Sequence, residues 1–594
     1  MTLSRNEFAV LSVLAQDQRI ASQRGLSDAC GLSLGTVNKA LRSLAERDEV
    51  DGYRLTDAGL AALEPYRVKN AIIMAAGLSS RFAPISYEKP KGVLTVRGEV
   101  LIERQIRQLK EAGIDDITVV VGYKKEHFFY LEDAFDVSIV VNPEYAERNN
   151  NSTLMEVADR LGNTYICSSD DYFTENPFRA YEWKAFYSVQ YEAGKTDEWC
   201  VEVGAGDRLI DVTIGGRDAW VMMGHAYFDR AFSERFVGFL REDYGKPETA
   251  GKLWESVMVD HIDDLDMVVK RYDPSIIFEF DSLDEVRDFD PAFIENVDSR
   301  IFDNICSVLE CSPADIRDIE PIKQGLTNLS FRFTVAGSPY VYRHPGAGTD
   351  AIINRSSEAI SQKVAAGLGI DGTFIHEDER EGWKISRFVL DARPLDYHDE
   401  EDLALAMGIA RKLHESGADS GYAFDIHEDT KKTIALLDAK RRTAFRDFGD
   451  LYVLADTLDA MVKADGLAPV LCHNDFYPPN FLVTSNEIDL IDWEYSGMSD
   501  YASDLAVFIC CSDYTYDEAM HVLEVYFGRP LTQEELFHCV AYICVVSFHW
   551  FIWALYQDMC GSPVGELLYL YYKYTKLYGA HAMEMARELK REMA

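Results

Sequence analysis

The chain has 594 residues, 47% of them hydrophobic, enough for several buried cores and, by length, about three or four domains. One hundred acidic against 59 basic residues leave a formal charge of −41, which argues against a chain devoted to nucleic acid or to an anionic membrane. The eleven cysteines include no CxxC pair and no Cys/His cluster at zinc spacing, and the start, MTLSRNEFAV, has no apolar signal-peptide segment, so a reduced, cytoplasmic protein is expected. The most apolar stretch, Cys539 to Tyr556, carries Ser547 and His549 and reads as a buried helix rather than a membrane span.

Residues 1–68 come first. Phe8, Val10, Leu11 and Leu14 repeat at helical spacing, and a second helix runs from Gly25 to about Cys30. Ser33 caps a third helix with Val37, Leu41 and Leu44 on one face, and Asp51-Gly52 turns a hairpin. This order resembles a MarR-like winged helix-turn-helix. The resemblance implies that Thr36, Asn38, Lys39 and Arg42 face a DNA groove. Acids and bases are nearly balanced here, so a protein or dimer contact stays open beside DNA.

Residues 69–290 alternate strand and helix, which predicts a doubly wound parallel sheet. A short apolar strand, Asn70 to Met74, runs into Ala75-Ala76-Gly77-Leu78-Ser79-Ser80-Arg81. Small residues let backbone N–H groups of Ala76, Gly77, Ser79 and Ser80 approach a nucleotide's phosphates, and Arg81 and then Lys91 add cations. The loop and the KPK element around Lys91 resemble sugar-phosphate nucleotidyltransferases, and among them the bacterial CTP:phosphocholine cytidylyltransferases. Ser79 departs from that pattern, where glycine is common. Asn149 to Leu154 resembles the family's NNxxSL segment. Asp170 in CSSDDY and Asp281 in EFDS match its metal-binding carboxylates. The resemblance implies CTP as substrate, Mg²⁺ at Asp170 and Asp281, and attack by the already ionised phosphate of phosphocholine. Trp199 and Trp220 are candidates for the quaternary ammonium, which offers no N–H and is recognised by π faces and carboxylates; core packing is the other reading of both.

Residues 291–594 hold Leu471 to Glu494, in which HxDxxxxN precedes an apolar strand ending in Asp. Asp475 can take a hydroxyl proton, and Asn480 and Asp492 can supply hard oxygens to Mg²⁺. Upstream, Gly325 and Asn328 lie in a hairpin loop suited to covering phosphates. Arg343 stands where a kinase would carry its β-strand cation, and Glu358 on the next helix is its ion-pair partner. The segment resembles the choline/ethanolamine kinases, which share the Arg at that position. That resemblance implies ATP as donor and an aromatic box for a trimethylammonium group from Trp550 and Trp553, three apart on one helix face, and from Tyr569 and Tyr572 at the same spacing.

The expected fold class is multidomain α/β and α+β: a winged helix-turn-helix, a doubly wound nucleotidyltransferase domain and a two-lobed protein-kinase-like domain. The expected function is synthesis of CDP-choline, with choline phosphorylated by ATP and phosphocholine then joined to CTP. Two alternatives stand beside it. One is a kinase for another small amino alcohol fused to a sugar-phosphate nucleotidyltransferase. The other is a choline-responsive DNA-binding regulator.

Overall fold

The computed structural model describes all but residues 1–2, 18, 296, 323–327, 347–352, 486, 561–563 and 591–594, and the side chains of residues 80 and 443. It forms two compact units, Met1–Ser307 with Ser312–Ala314, and Val308–Cys311 with Asp315–Ala594. The contact boundary thus comes later than residue 291. Glu88 is the reason: its carboxylate accepts from Ser299 Oγ and from the Arg300 N–H (2.9 Å), and Lys89 Nζ donates to the Asp298 carbonyl (2.7 Å).

The first unit begins with three helices, Arg5–Gln16, Gln23–Cys30 and Leu34–Ala45. Ser4, Ser22 and Ser33 cap their N-termini, and Ser4 forms a reciprocal capping box with Glu7. Leu11, Leu26, Val37 and Leu44 close the core between them. The wing is a two-strand hairpin, Val50–Asp51 with Arg54–Leu55, turned at Gly52 with φ +63°. Lys39 and Arg42 are exposed, while Thr36 and Asn38 are half-buried. The winged helix is docked on the following domain: Tyr66 stacks on Trp183 (5.1 Å, 12°), Phe8 packs against both rings, and Arg67 Nη2 donates to Tyr181 Oη (2.6 Å). Between the two docking aromatics, Glu182 turns inward and accepts from Tyr165 Oη and Lys270 Nζ, each at 2.7 Å.

The sheet beneath has seven strands in the order Val268–Arg271, Phe186–Val203, Leu209–Phe228, Thr164–Ser168, Asn70–Ala75, Ile117–Val121, Ser138–Val141. The last four are mutually parallel, and Asn70–Ala75 has its sequence successors on one side and Thr164–Ser168 on the other. That reversal opens a crevice at the carboxyl ends of the strands. The parallel strands Ile117–Val121 and Thr164–Ser168 are buried almost throughout, as strands covered on both faces must be. The departure from an all-parallel sheet is the long antiparallel ribbon Phe186–Val203/Leu209–Phe228.

The second unit starts with an antiparallel sheet, Ile316–Pro321, Asn328–Val335, Ser338–Pro345, Lys384–Arg387 and Phe374–Glu377. The helix Arg355–Gly367 follows the third of these strands. A helical lobe comes next, built around Ala502–Cys510 and Gln533–Met559. The latter is long and apolar enough to cross a membrane, but 83% of its most apolar window is buried in the lobe, which makes it the expected core helix.

His225 lies wholly buried on the ribbon, stacked on Tyr165 (5.3 Å), with neither ring nitrogen hydrogen-bonded among the described residues. Desolvation, with the nearby Lys270 charge, pushes its pKa well below the ordinary 6.5. The unfolded chain therefore binds a proton that the native state refuses, and His225 costs stability as pH falls below about 6.5. His225→Phe should flatten the loss of the first unit's calorimetric melting temperature between pH 7.5 and pH 5, and an unaltered slope would show that other groups set it.

Two candidate active sites

In the first unit a cavity of about 490 Å³ lies at the sheet's switch point. Ala76, Gly77, Ser79, Arg81, Lys91 and Asp281 all line it. Ser79 adopts φ +51°, the left-handed region that glycine enters freely, which explains why glycine suits this position. Lys91 is buried and its ammonium sits 2.5 Å from Asp170 Oδ2, while Arg81 Nη1 is 2.9 Å from Asp281 Oδ2. Desolvation opposes the Lys91 charge, but Asp170, Glu279 and Asp281 hold its pKa above the ordinary value.

Two further acids complete the cluster. Asp171 is buried with neither oxygen hydrogen-bonded among the described residues, and desolvation with the charges of Glu279 and Asp170 raises its pKa far above the carboxylate range. Glu279 opens to the surface and accepts from the Gly224 N–H (3.1 Å). Desolvation around its carboxyl and the charge of Asp170 push it up to about 8. Both were legible as letters in the motifs around Asp170 and Asp281, but nothing in the sequence marked their clustering. It arises from antiparallel pairing of Asp171–Phe173 with Ile277–Glu279.

Neither tryptophan lines the cavity. Trp220 is edge-to-face with Tyr191 (5.6 Å), and the Arg271 guanidinium already covers it at 5.1 Å. Trp199 packs partly buried against the core under the ribbon; its neighbour Glu198 lies within electrostatic reach of Asp281 and Arg81. The Ser80 side chain and Gly325 lie outside the described residues.

In the second unit, Asn480 Nδ2 donates to Asp475 Oδ2 (2.9 Å) and to its carbonyl (3.0 Å), leaving the amide oxygen for another partner. Asp504 holds the backbone of this loop by accepting the His473 N–H (2.9 Å) and Asn474 N–H (2.6 Å). Desolvation and the Asp492 charge push the Asp475 carboxyl up to about 7. Arg343 is buried between Glu358, its closest partner, Asp492 (3.1 Å) and Glu494 (3.8 Å). Glu358 is fully buried; Arg343, Lys384 and Arg355 outweigh its desolvation and hold its carboxyl below the usual range. Asn328 Nδ2 donates to Glu494 Oε2 (2.9 Å), so Glu494, unassigned from the sequence, ties the sheet to the acidic loop.

Trp550 and Trp553 meet edge-to-face at 5.4 Å. The expected tyrosines do not join them. Tyr569 is 69% exposed, and Tyr572 donates to Asp447 Oδ2 (2.7 Å) while packing on Phe445 and Phe551. The ring facing Trp550 is Tyr571, at 6.2 Å. The helix Leu567–Glu588 buries Tyr571, Tyr574, Thr575 and Tyr578, which fixes its phase and turns Tyr569 outward.

A docked winged helix, a nucleotidyltransferase sheet with a cation-and-carboxylate pocket, and a kinase-like lobe with an Asp–Asn–Asp loop define a multidomain phosphate-transferring enzyme. Three family models match in the same order: a winged helix-turn-helix DNA-binding model over residues 3–48, a MobA-like NTP transferase domain over 71–170, and the phosphotransferase enzyme family over 318–538. The chain is 34% identical over 217 residues to the choline-phosphate cytidylyltransferase of Streptococcus pneumoniae, covering 36% of this chain and 95% of that protein. It is equally 34% identical over 229 residues to the 2-aminoethylphosphonate cytidylyltransferase of Lancefieldella rimae, covering 38% and 93%. Among solved structures, it is similar to the choline kinase LicA from Streptococcus pneumoniae, at 24% identity over 47% of this chain and 98% of that one, with a TM-score of 0.41. The chain belongs to the choline-phosphate cytidylyltransferase family, extended by the winged helix and the phosphotransferase unit.

Trp550→Ala or Tyr571→Ala should raise the KM for a cationic acceptor roughly 30-fold, the equivalent of one cation–π contact of about 2 kcal/mol, with the ATP KM little changed. Tyr569→Ala should leave both constants unchanged in steady-state kinetics.

Proposed function

We propose that this chain is a cytoplasmic, bifunctional enzyme that makes CDP-choline from choline, ATP and CTP, with Mg²⁺ at both sites. The observation that carries the reading is the aromatic wall of Trp550, Trp553 and Tyr571 in the same lobe as the Asp475–Asn480–Asp492 loop. An aromatic wall suits trimethylammonium, whereas ethanolamine's N–H groups would also require acceptors. Cytoplasmic residence is supported by Cys167, Cys472, Cys539 and Cys544, which are buried in the two units without a disulfide among the described residues.

In the second unit, Asp475 accepts the choline hydroxyl proton as the oxygen bonds to the γ-phosphorus of ATP and ADP leaves. Asn480 fixes one Asp475 oxygen and so aims the other. In the first unit, a phosphocholine oxygen bonds to the α-phosphorus of CTP while the bond to pyrophosphate breaks; no protein nucleophile is required. Lys91 and Arg81 stabilise charge on the triphosphate, and the loop of Ala76, Gly77, Ser79 and Ser80 cradles it. Glu279, beside the nucleotide cavity and accepting from the Gly224 N–H, is the acid offered to the trimethylammonium, whose positive charge draws its raised carboxyl back to the ionised form. The donor sets are hard oxygens, as Mg²⁺ demands: Asp170 and Asp281 would hold it in one unit, Asn480 and Asp492 in the other. When bound there it supplies positive charge against the phosphates.

³¹P NMR of the full chain with Mg²⁺, ATP, CTP and choline should show phosphocholine first, then CDP-choline and pyrophosphate. Asp475→Asn should abolish the first product while added phosphocholine still yields the second; Lys91→Ala should do the reverse. Absence of phosphocholine from the wild-type reaction would overturn the kinase reading. Preferential conversion of 2-aminoethylphosphonate would overturn the acceptor assigned to the first unit.

For residues 1–68 we propose DNA as the partner, supported by Lys39 and Arg42 exposed on the helix Leu34–Ala45. A gel shift with the DNA upstream of the coding sequence should be weakened by replacing both with Ala; no shift at low salt would leave a protein or dimer contact as the role of this module.

A further inference from the structure

Asn149, Asn150 and Asn151 all turn to one neighbouring stretch, Thr249–Glu255. Asn149 donates its N–H to the Ala250 carbonyl (2.8 Å) and Nδ2 to that of Gly251 (3.2 Å). Asn151, wholly buried, donates Nδ2 to the carbonyls of Thr249 (2.9 Å) and Lys252. Asn150 works in both directions: Oδ1 accepts the Trp254 N–H (2.7 Å), and Nδ2 donates to Glu255 Oε2 (3.4 Å). The other Glu255 oxygen accepts from Tyr187 Oη (3.1 Å), and Tyr187 stacks on Trp254 at 5.6 Å.

These contacts join two parts of the site. Asn149, Asn150, Ala250 and Gly251 form wall of the same cavity that Gly77, Arg81 and Lys91 line. Tyr187 belongs to the long ribbon strand and feels the charges of Glu279 and Asp171. Among the described residues, Glu255 is the one side chain hydrogen-bonded to both Asn150 and Tyr187.

We propose that Glu255 is a positioning residue for cytidylyl transfer, bracing the Asn149–Asn151 wall of the nucleotide cavity against the ribbon strand Phe186–Val203, which runs near Glu279 and Asp171. The inference rests on the cytidylyltransferase reading above. Without the carboxylate, Asn150 loses its link to the ribbon, the wall relaxes, and both substrates bind a less ordered site. Loss of ground-state and transition-state binding together raises KM more than it lowers kcat.

The test is steady-state kinetics on the full chain, with choline phosphorylation by the second unit as an internal control. Glu255→Ala should raise the KM for CTP and for phosphocholine at least tenfold each, lower kcat less, and leave the kinase rate unchanged. Glu255→Gln keeps an acceptor oxygen and should recover most of both KM values. Tyr187→Phe removes one arm of the brace and should produce a smaller rise in the same direction, so the proposal survives a Glu255→Ala chain that fails to fold. Unchanged KM values, or a Gln variant as defective as Ala, would overturn it. If the wild type makes no CDP-choline, calorimetric titration with Mg–CTP decides separately: at least fivefold weaker binding to Glu255→Ala supports the brace, and equal binding refutes it.

Discussion

Each catalytic unit sets a buried cation at the centre of a crowd of carboxylates and so makes the crowd tolerable. Lys91 stands among Asp170, Glu279 and Asp281, and Arg343 among Glu358, Asp492 and Glu494. Like charges at such separations repel strongly in a poorly solvated site, and removing the central counter-ion would leave part of that repulsion uncompensated. Phosphate chemistry requires this tension, because a site that receives a polyanion with its metal must already hold both signs of charge. The switch point of the sheet in one unit and the Asp–Asn–Asp loop in the other are the backbone solutions that bring those signs together.

The backbone carries part of the cost. Ser79, Asn474 and Asp492 adopt left-handed φ angles of +51°, +61° and +70° without being glycine. Such conformations persist where surrounding bonds over-determine them, and all three positions lie in or beside the phosphate-handling loops. Asn474 is held through its N–H by Asp504 and through Nδ2 by the Tyr495 carbonyl (3.0 Å), so its strain is offset on the spot.

What the sequence disclosed was mostly what is local. Asp475, Asn480 and Asp492 lie on one short run of chain, and Arg343 and Glu358 lie on a strand and on the helix Arg355–Gly367 that follows it in sequence, so spacing reports their geometry. The winged-helix elements were likewise legible because serine caps and apolar periodicity act within a few residues. Tyr571 was hidden because the last helix carries tyrosines on several faces, and only packing against Gln533–Met559 selects one. Trp220 looked available until the parallel pairing of Phe186–Val203 with Val268–Arg271 brought Arg271 over its ring. Asp171 and Glu279 owe their clustering to strands far apart in the chain, which no window of sequence reports.

The stacked Tyr66 and Trp183, locked by Phe8 and by the Arg67–Tyr181 bond, have a mechanical meaning. A DNA-binding head on a flexible tether samples orientations independently of its enzyme, and its effective concentration follows from linker length. Here the short stretch that grips the head also buries Glu182 in the sheet, so no slack separates them. The winged helix is thus carried directly on the nucleotidyltransferase sheet, and any swivel of the head must first break the Tyr66–Trp183 stack and the Arg67–Tyr181 bond.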